Sequence, residues 1–148
     1  MVQGKRGLVE ATGGMKMEKE FFIVPQKVAI RKGEKFLVVK RAPDAKVYPD
    51  CWDFPGGKLE WGEDPKQGLK REVKEETKLE VEIKNPEFAF SERIKDHFIY
   101  LTVFEAEIVG EEEVQLSEEH SEFKWATKEE ILKLNAENYL RKYFEGRE

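Results

Sequence analysis

An α+β fold, with helices packed against a mixed β-sheet, is what the order of patterns along the chain predicts. Segments of strand character and of helical period follow one another without the repeated strand–helix–strand rhythm of a doubly wound parallel sheet. One segment in the middle carries both a cap and a helical apolar stripe, and the segments around it alternate like strands. The 148 residues suit a single domain. Their 39% apolar and 39% charged content suits one core under a well-solvated surface.

Taken in order, the first 19 residues, with Gly4, Gly7, Gly13 and Gly14 among scattered charges, hold no sustained apolar period and read as a flexible leader. Met15 and Met17 stand just before the structured part, so the leader reads as an upstream extension, and residues 20–148 as one domain. Phe21 to Ile30 and Phe36 to Val39, joined across Arg31-Lys32-Gly33-Glu34, read as two strands of a hairpin. Ala42 to Asp50 holds two prolines and two aspartates and reads as a loop; Trp52 to Phe54 is a short strand stopped by Pro55-Gly56-Gly57. Asp64 as N-cap, Pro65 at the first helical position and Leu69 with Val73 at i, i+4 predict a helix from Pro65 to Lys78. Alternation predicts strands over Val81–Ser91, His97–Val109 and Glu122–Ala126. Thr127 opens a capping box with Glu130, so two short helices or one broken helix carry the stripe from Ile131 to Phe144.

Charge narrows the function. A net −5 argues against a stable grip on nucleic acid, which depends on basic side chains displacing counterions. A free polyphosphate is compatible with an acidic site if divalent cations lie between the two. Cys51 is the single cysteine, which excludes an intrachain disulfide and a cysteine-built zinc or iron–sulfur centre. No run approaches the ~20 apolar residues that span a bilayer, and the N-terminus has no secretory apolar region. A cytoplasmic protein with no membrane partner is the expectation.

On the helix from Pro65, Glu72, Glu75 and Glu76 fall within about a 100° arc. Each like-charged pair at i, i+3 or i, i+4 costs roughly 0.2 to 0.5 kcal/mol when bare. Oxygen ligands at this density suit a hard cation such as Mg²⁺ or Mn²⁺, whose chemistry with phosphates is anhydride hydrolysis. Spacing alone leaves the bland alternative standing, because glutamate is a good helix former and acidic faces are usually just solvated.

The wider segment is more specific. Gly57 through Leu79 reads GKLEWGEDPKQGLKREVKEETKL and resembles the Nudix box: Gly, five residues, Glu, seven residues, Arg-Glu, an aliphatic, any residue, Glu-Glu, any residue, Gly, aliphatic. A chance match somewhere in such a chain is on the order of one in ten thousand. Upstream, Trp52-Asp53-Phe54-Pro55-Gly56-Gly57 and Arg41-Ala42-Pro43-Asp44 resemble the MutT-like subgroup. The resemblance implies the Nudix fold, an α/β/α sandwich around a mixed β-sheet with the box as loop, helix, loop.

It also implies roles. Glu72, Glu75 and Glu76 would hold the metal with the carbonyl of Gly56, Glu72 being the first choice of general base and Glu75 the second. Gly57, Glu63 and Arg71 would support the site, Arg71 facing away from the carboxylates and pairing with Glu63. Arg41 and Lys58 are candidates for substrate phosphates, an ordinary surface role standing beside that one. Glu118 or Glu119 lies where many relatives supply a further carboxylate, beside the plain reading of a solvated loop residue. His97 and His120 are read as surface or sheet residues. One departure is Lys78, in place of the box glycine at a position that favours positive φ.

The expected reaction is conversion of a nucleoside triphosphate to the monophosphate and pyrophosphate. Alternatives are hydrolysis of ADP-ribose or a dinucleoside polyphosphate and, in another class, a non-catalytic nucleotide sensor. For the base pocket Phe88, Phe90, Asn135 and Asn138 are candidates, with core packing and helix capping explaining them equally. A homodimer is left open.

Overall fold

The computed structural model describes residues 21–145, so the expectations for residues 1–19 lie outside the described residues. The elements are β1 (Phe21–Ile23), β2 (Pro25–Lys32), β3 (Lys35–Arg41), β4 (Trp52–Asp53), β5 (Gly56–Lys58), α1 (Pro65–Thr77), β6 (Val81–Ile94), β7 (His97–Ile108), β8 (His120–Thr127), α2 (Lys128–Leu132) and α3 (Asn138–Phe144). The sheet is mixed. β7 runs parallel to β1 and β2 and antiparallel to β6, while β3 runs antiparallel to β2, β4 and β8.

Period-2 alternation in β2 and β3 puts side chains on both faces of this sheet, and both faces are buried. Val28, Ile30 and Leu37 point to one side and meet Leu69 and Val73 of α1. Ala29, Phe36 and Val38 point to the other and meet Ile131 of α2 and Tyr139, Leu140, Tyr143 and Phe144 of α3. Phe54 is central to that second layer, packing edge-on against Tyr143 at 5.4 Å and Tyr139 at 6.2 Å. Side chains buried this fully contribute about 1.5–3 kcal/mol each. The α+β sandwich is therefore observed as expected.

Two local findings refine the expectations. The chain does not simply turn at Pro55-Gly56-Gly57; it re-enters the sheet as β5, pairing Lys27 with Gly56 and Gln26 with Gly57. Glycine permits this approach, since a Cβ on Gly56 would stand 2.0 Å from the Gln26 carbonyl oxygen and φ there is 151°. Lys78 accepts the left-handed backbone expected of the missing glycine, with φ 67°, and its N–H donates to the Lys74 carbonyl. Phe88 and Phe90 pack against the α3-side core, so they belong to packing. Among the described residues no helix is long and apolar enough to cross a membrane.

Candidate active site

Helix α1 fixes the carboxylates because its start and its buried stripe are both fixed. The Asp64 side chain accepts from Gln67 N at 3.0 Å, Pro65 presets the first turn, and Leu69 and Val73 are fully buried. The flank beside that stripe carries Glu72 and Glu76 to the wall of a cleft of about 740 Å³. β5 closes on the same flank. Gly56 N donates to Glu76 Oε1 at 3.1 Å, and a Cβ on Gly57 would stand 2.5 Å from the Glu72 carboxylate.

Glu76 is only 3% exposed, and burial pushes its carboxyl up to about 8, with the Lys27 charge and the Gly56 N–H opposing. Burial also raises Glu72, against the neighbouring Arg71 guanidinium. Glu75 is not brought to the cleft: its side chain is 59% exposed and bonded to Arg71 Nη1 at 3.3 Å. Arg71 does pin Glu63, with Nη2 to Oε2 at 2.7 Å, yet it does not face away from the acidic arc. The same guanidinium reaches Glu72 Oε1 at 3.2 Å, because a five-donor fork on a flexible stem spans positions that backbone angles alone would separate. Glu63 in turn accepts from Glu60 N at 3.2 Å, which ties the loop to the helix.

Glu118 and Glu119 also line the cleft. Their loop docks on the end of α1, Ser117 N donating to the Glu76 carbonyl at 3.2 Å and Gln115 N to that of Thr77 at 2.9 Å. The charge of Glu119 is among those that raise Glu72 and Glu76, so it lies within electrostatic reach of both. Among the described residues no three such side chains converge tightly enough to enclose a metal ion. Their chemistry nonetheless fits one: Glu72, Glu76 and Glu119 line one cleft with hard oxygen donors, and two of the carboxyls resist ionisation.

The rest of the cleft is a buried charge network. Lys27, 6% exposed, donates from Nζ to Asp53 Oδ2 at 2.7 Å, and Tyr139 donates its hydroxyl to Asp53 Oδ1 while accepting from Phe54 N at 2.9 Å. Burial pushes the Asp53 carboxyl up, but the Lys27 charge and these hydrogen bonds outweigh it and hold it below the usual range. Glu137, buried beside Asp53, is driven well above that range by burial and by the neighbouring negative charge. Arg41 lines the cleft with its guanidinium turned inward: Nε donates to the Val47 carbonyl at 2.9 Å, and the group lies 3.8 Å from Asp53 and 3.9 Å from Glu137. Lys58 lines the cleft from an exposed position. His120 is buried in the cleft wall, where burial lowers its imidazole to about 4 and its Nδ1 has no hydrogen-bond partner among the described residues.

Lys27, Glu137 and Tyr48 are thus cleft or network residues that the sequence pattern does not single out, Asp53 enters there only within the Trp52 to Gly57 resemblance, and His120, read as a surface or sheet residue, is a buried residue of β8. Of the candidates for a base pocket, Asn138 reaches the cleft's border, bonding Tyr48 and Glu92, whereas Asn135 bonds Cys51 Sγ and accepts from Trp52 N.

A family model for the NUDIX domain matches residues 27–145. A MutT-like protein of Streptomyces ambofaciens is 31% identical over 112 residues, 76% of this chain and 68% of the relative. A nucleoside triphosphatase NudI of Enterobacter sp. (strain 638) is 30% identical over 128 residues, 78% of this chain and 89% of its own. The crystal structure of a MutT protein from Methanosarcina mazei Go1 superposes with a TM-score of 0.78 at 29% identity, covering 87% of this chain and 94% of that one.

Proposed function

The chain belongs to the NUDIX family and is a Nudix hydrolase, and from that premise we propose that it converts nucleoside triphosphates to monophosphate and pyrophosphate with Mg²⁺ or Mn²⁺. The observation that carries the proposal is that Glu72, Glu76 and Glu119 line the wall of one cleft of about 740 Å³, where the carboxyls of Glu72 and Glu76 are raised. Ligand sites commonly occupy ~300–1,000 Å³. The nucleoside triphosphatase relative, matched over most of its length, supports the choice of substrate.

Glu72, Glu76 and the Gly56 carbonyl would hold the cation, with Glu75, bonded to Arg71 in this structure, as a further ligand candidate. When bound, the cation neutralises the polyphosphate and makes an attacking water more acidic. Glu72 accepts that water's proton, a task suited to a half-buried carboxylate whose proton affinity is raised. A new phosphorus–oxygen bond forms as the anhydride bond breaks, and the electron pair leaves with the pyrophosphate oxygen. Lys58 and Arg41 supply positive charge to the phosphates from the cleft wall. Arg71, through Glu63, holds the loop and helix in one geometry. Residues 20–148 form the catalytic domain under this reading.

Product analysis tests it. Incubation with nucleoside triphosphates, ADP-ribose and dinucleoside polyphosphates should give monophosphate and pyrophosphate in equal amounts from the triphosphates, and only with a divalent cation. Release of diphosphate and orthophosphate, preference for another substrate, or binding without turnover would overturn it.

A further inference from the structure

Tyr48 is the single Phe, Tyr or Trp on the wall of the cleft among the described residues. Its hydroxyl is held at two points. It donates to Glu92 Oε2 at 2.9 Å and accepts from Asn138 Nδ2 at 3.0 Å, while Asn138 also donates to Glu92 Oε1 at 3.1 Å. The three side chains stand on the loop after β3, on β6 and on the first residue of α3, so they join three elements in one ring of hydrogen bonds. The backbone is held as well. Tyr48 adopts φ 53°, unusual for a bulky residue, and the Arg41 side chain fixes the preceding carbonyl of Val47 at 2.9 Å. Such a conformation persists where its surroundings over-determine it, often at ligand sites.

Ile99 and Leu101 of β7 line the same cleft, Ile99 pairing with the Glu92 that Tyr48 bonds. The register sets how far this end is from the carboxylates. Gly56, bonded to Glu76, pairs with Lys27, which pairs with Val103; Glu92 pairs with Ile99. Four residues of β7 at ~3.3 Å each offset the two ends by ~13 Å along the strand direction, before the spacing between strands is added. The α1 carboxylates and the group formed by Tyr48, Ile99 and Leu101 thus stand on separate parts of one wall, with Arg41 reaching the Tyr48 loop, a spacing that suits a nucleotide's polyphosphate and base.

We propose that Tyr48 stacks on the nucleobase, which lies between its ring and the Ile99–Leu101 wall, with Glu92 and Asn138 as positioning residues that hold the ring by its hydroxyl. This rests on the nucleotide reading above. Stacking on an aromatic face tolerates every base, so Tyr48 contributes affinity alike to all of them, and discrimination between bases lies with other groups.

The test is calorimetry with non-hydrolysable imido analogues of the nucleoside triphosphates, beside inorganic tripolyphosphate as a base-free probe, all with Mg²⁺. Tyr48→Leu, which keeps bulk and loses the ring face, should weaken every nucleotide about ten-fold or more. It should leave tripolyphosphate unchanged, and turnover should show the loss in KM with kcat within about three-fold. Tyr48→Phe, which keeps the ring, should restore nucleotide binding to within a few-fold of wild type. Equal weakening of nucleotide and tripolyphosphate would mean a structural role, and unchanged nucleotide binding would mean no stacking; either overturns this assignment alone. Wild-type protein that binds tripolyphosphate but no nucleotide would overturn the substrate reading and this assignment with it.

Discussion

Glu76 carries the sharpest electrostatic consequence at the scale of single residues. Its carboxyl is raised to about 8 from an ordinary 4.5, burial being the largest cause. A group that holds its proton more tightly folded than unfolded gives stability that is complete below the unfolded value and is lost as pH rises through the folded one. Metal-free protein in chelator should therefore lose thermal stability between about pH 5 and pH 8, and Glu76→Gln should flatten that decline. A divalent cation favours the ionised form, so its stabilising effect on wild type should be larger near pH 8 than near pH 6. Thermal melts at the two pH values with and without Mn²⁺ check this; an equal gain at both would contradict it. Glu72 differs from Glu76 in being half-buried and bonded to Arg71, an environment in which a carboxylate can still exchange protons with the cleft.

Among the elements, α1 was the most legible. An N-cap, a proline at the first position and an i, i+4 stripe are local signals, and each corresponds to an observed contact. Its C-terminus is where residue type and backbone disagree, since Lys78 occupies a left-handed conformation at φ 67°. Lys78→Gly should raise stability by about 0.5–1 kcal/mol through relief of that strain, partly offset by lost charge at the helix end and by the freer unfolded chain. Chemical denaturation measures it, and a loss of stability would show that the lysine contributes more by its contacts than its backbone costs. β5 was illegible, because three residues containing two glycines have no strand pattern; only the close approach to Gln26 makes them a strand. The departure of Glu75 from the cleft was equally hidden, since an angular projection places a side chain's root and not its far end.

For the molecule as a whole, what was legible is the half of the site built from one continuous segment, Gly57 to Leu79. The other half comes from strand pairing and long returns of the chain: Lys27 meets Asp53 26 residues on, and Tyr139 meets it across 86. No local period marks such residues, and Lys27 sits in a run of buried strand positions that reads simply as core. The network also joins the cleft floor to the core, since Tyr139 bonds both Asp53 and the backbone of Phe54. Tyr139→Phe removes both partners from buried groups and should destabilise the fold by about 1–3 kcal/mol. Denaturant titration would register this, and an unchanged midpoint would show that the network does not bear on the core.

The central claim is that the α1 carboxylates facing the cleft drive cation-dependent hydrolysis, and Glu72→Gln tests it most directly. Steady-state release of pyrophosphate from the preferred nucleoside triphosphate, with saturating Mg²⁺, should fall by about 10²–10⁴-fold in kcat while the protein stays folded. Turnover within a few-fold of wild type would contradict the account and place the chemistry elsewhere in the cleft.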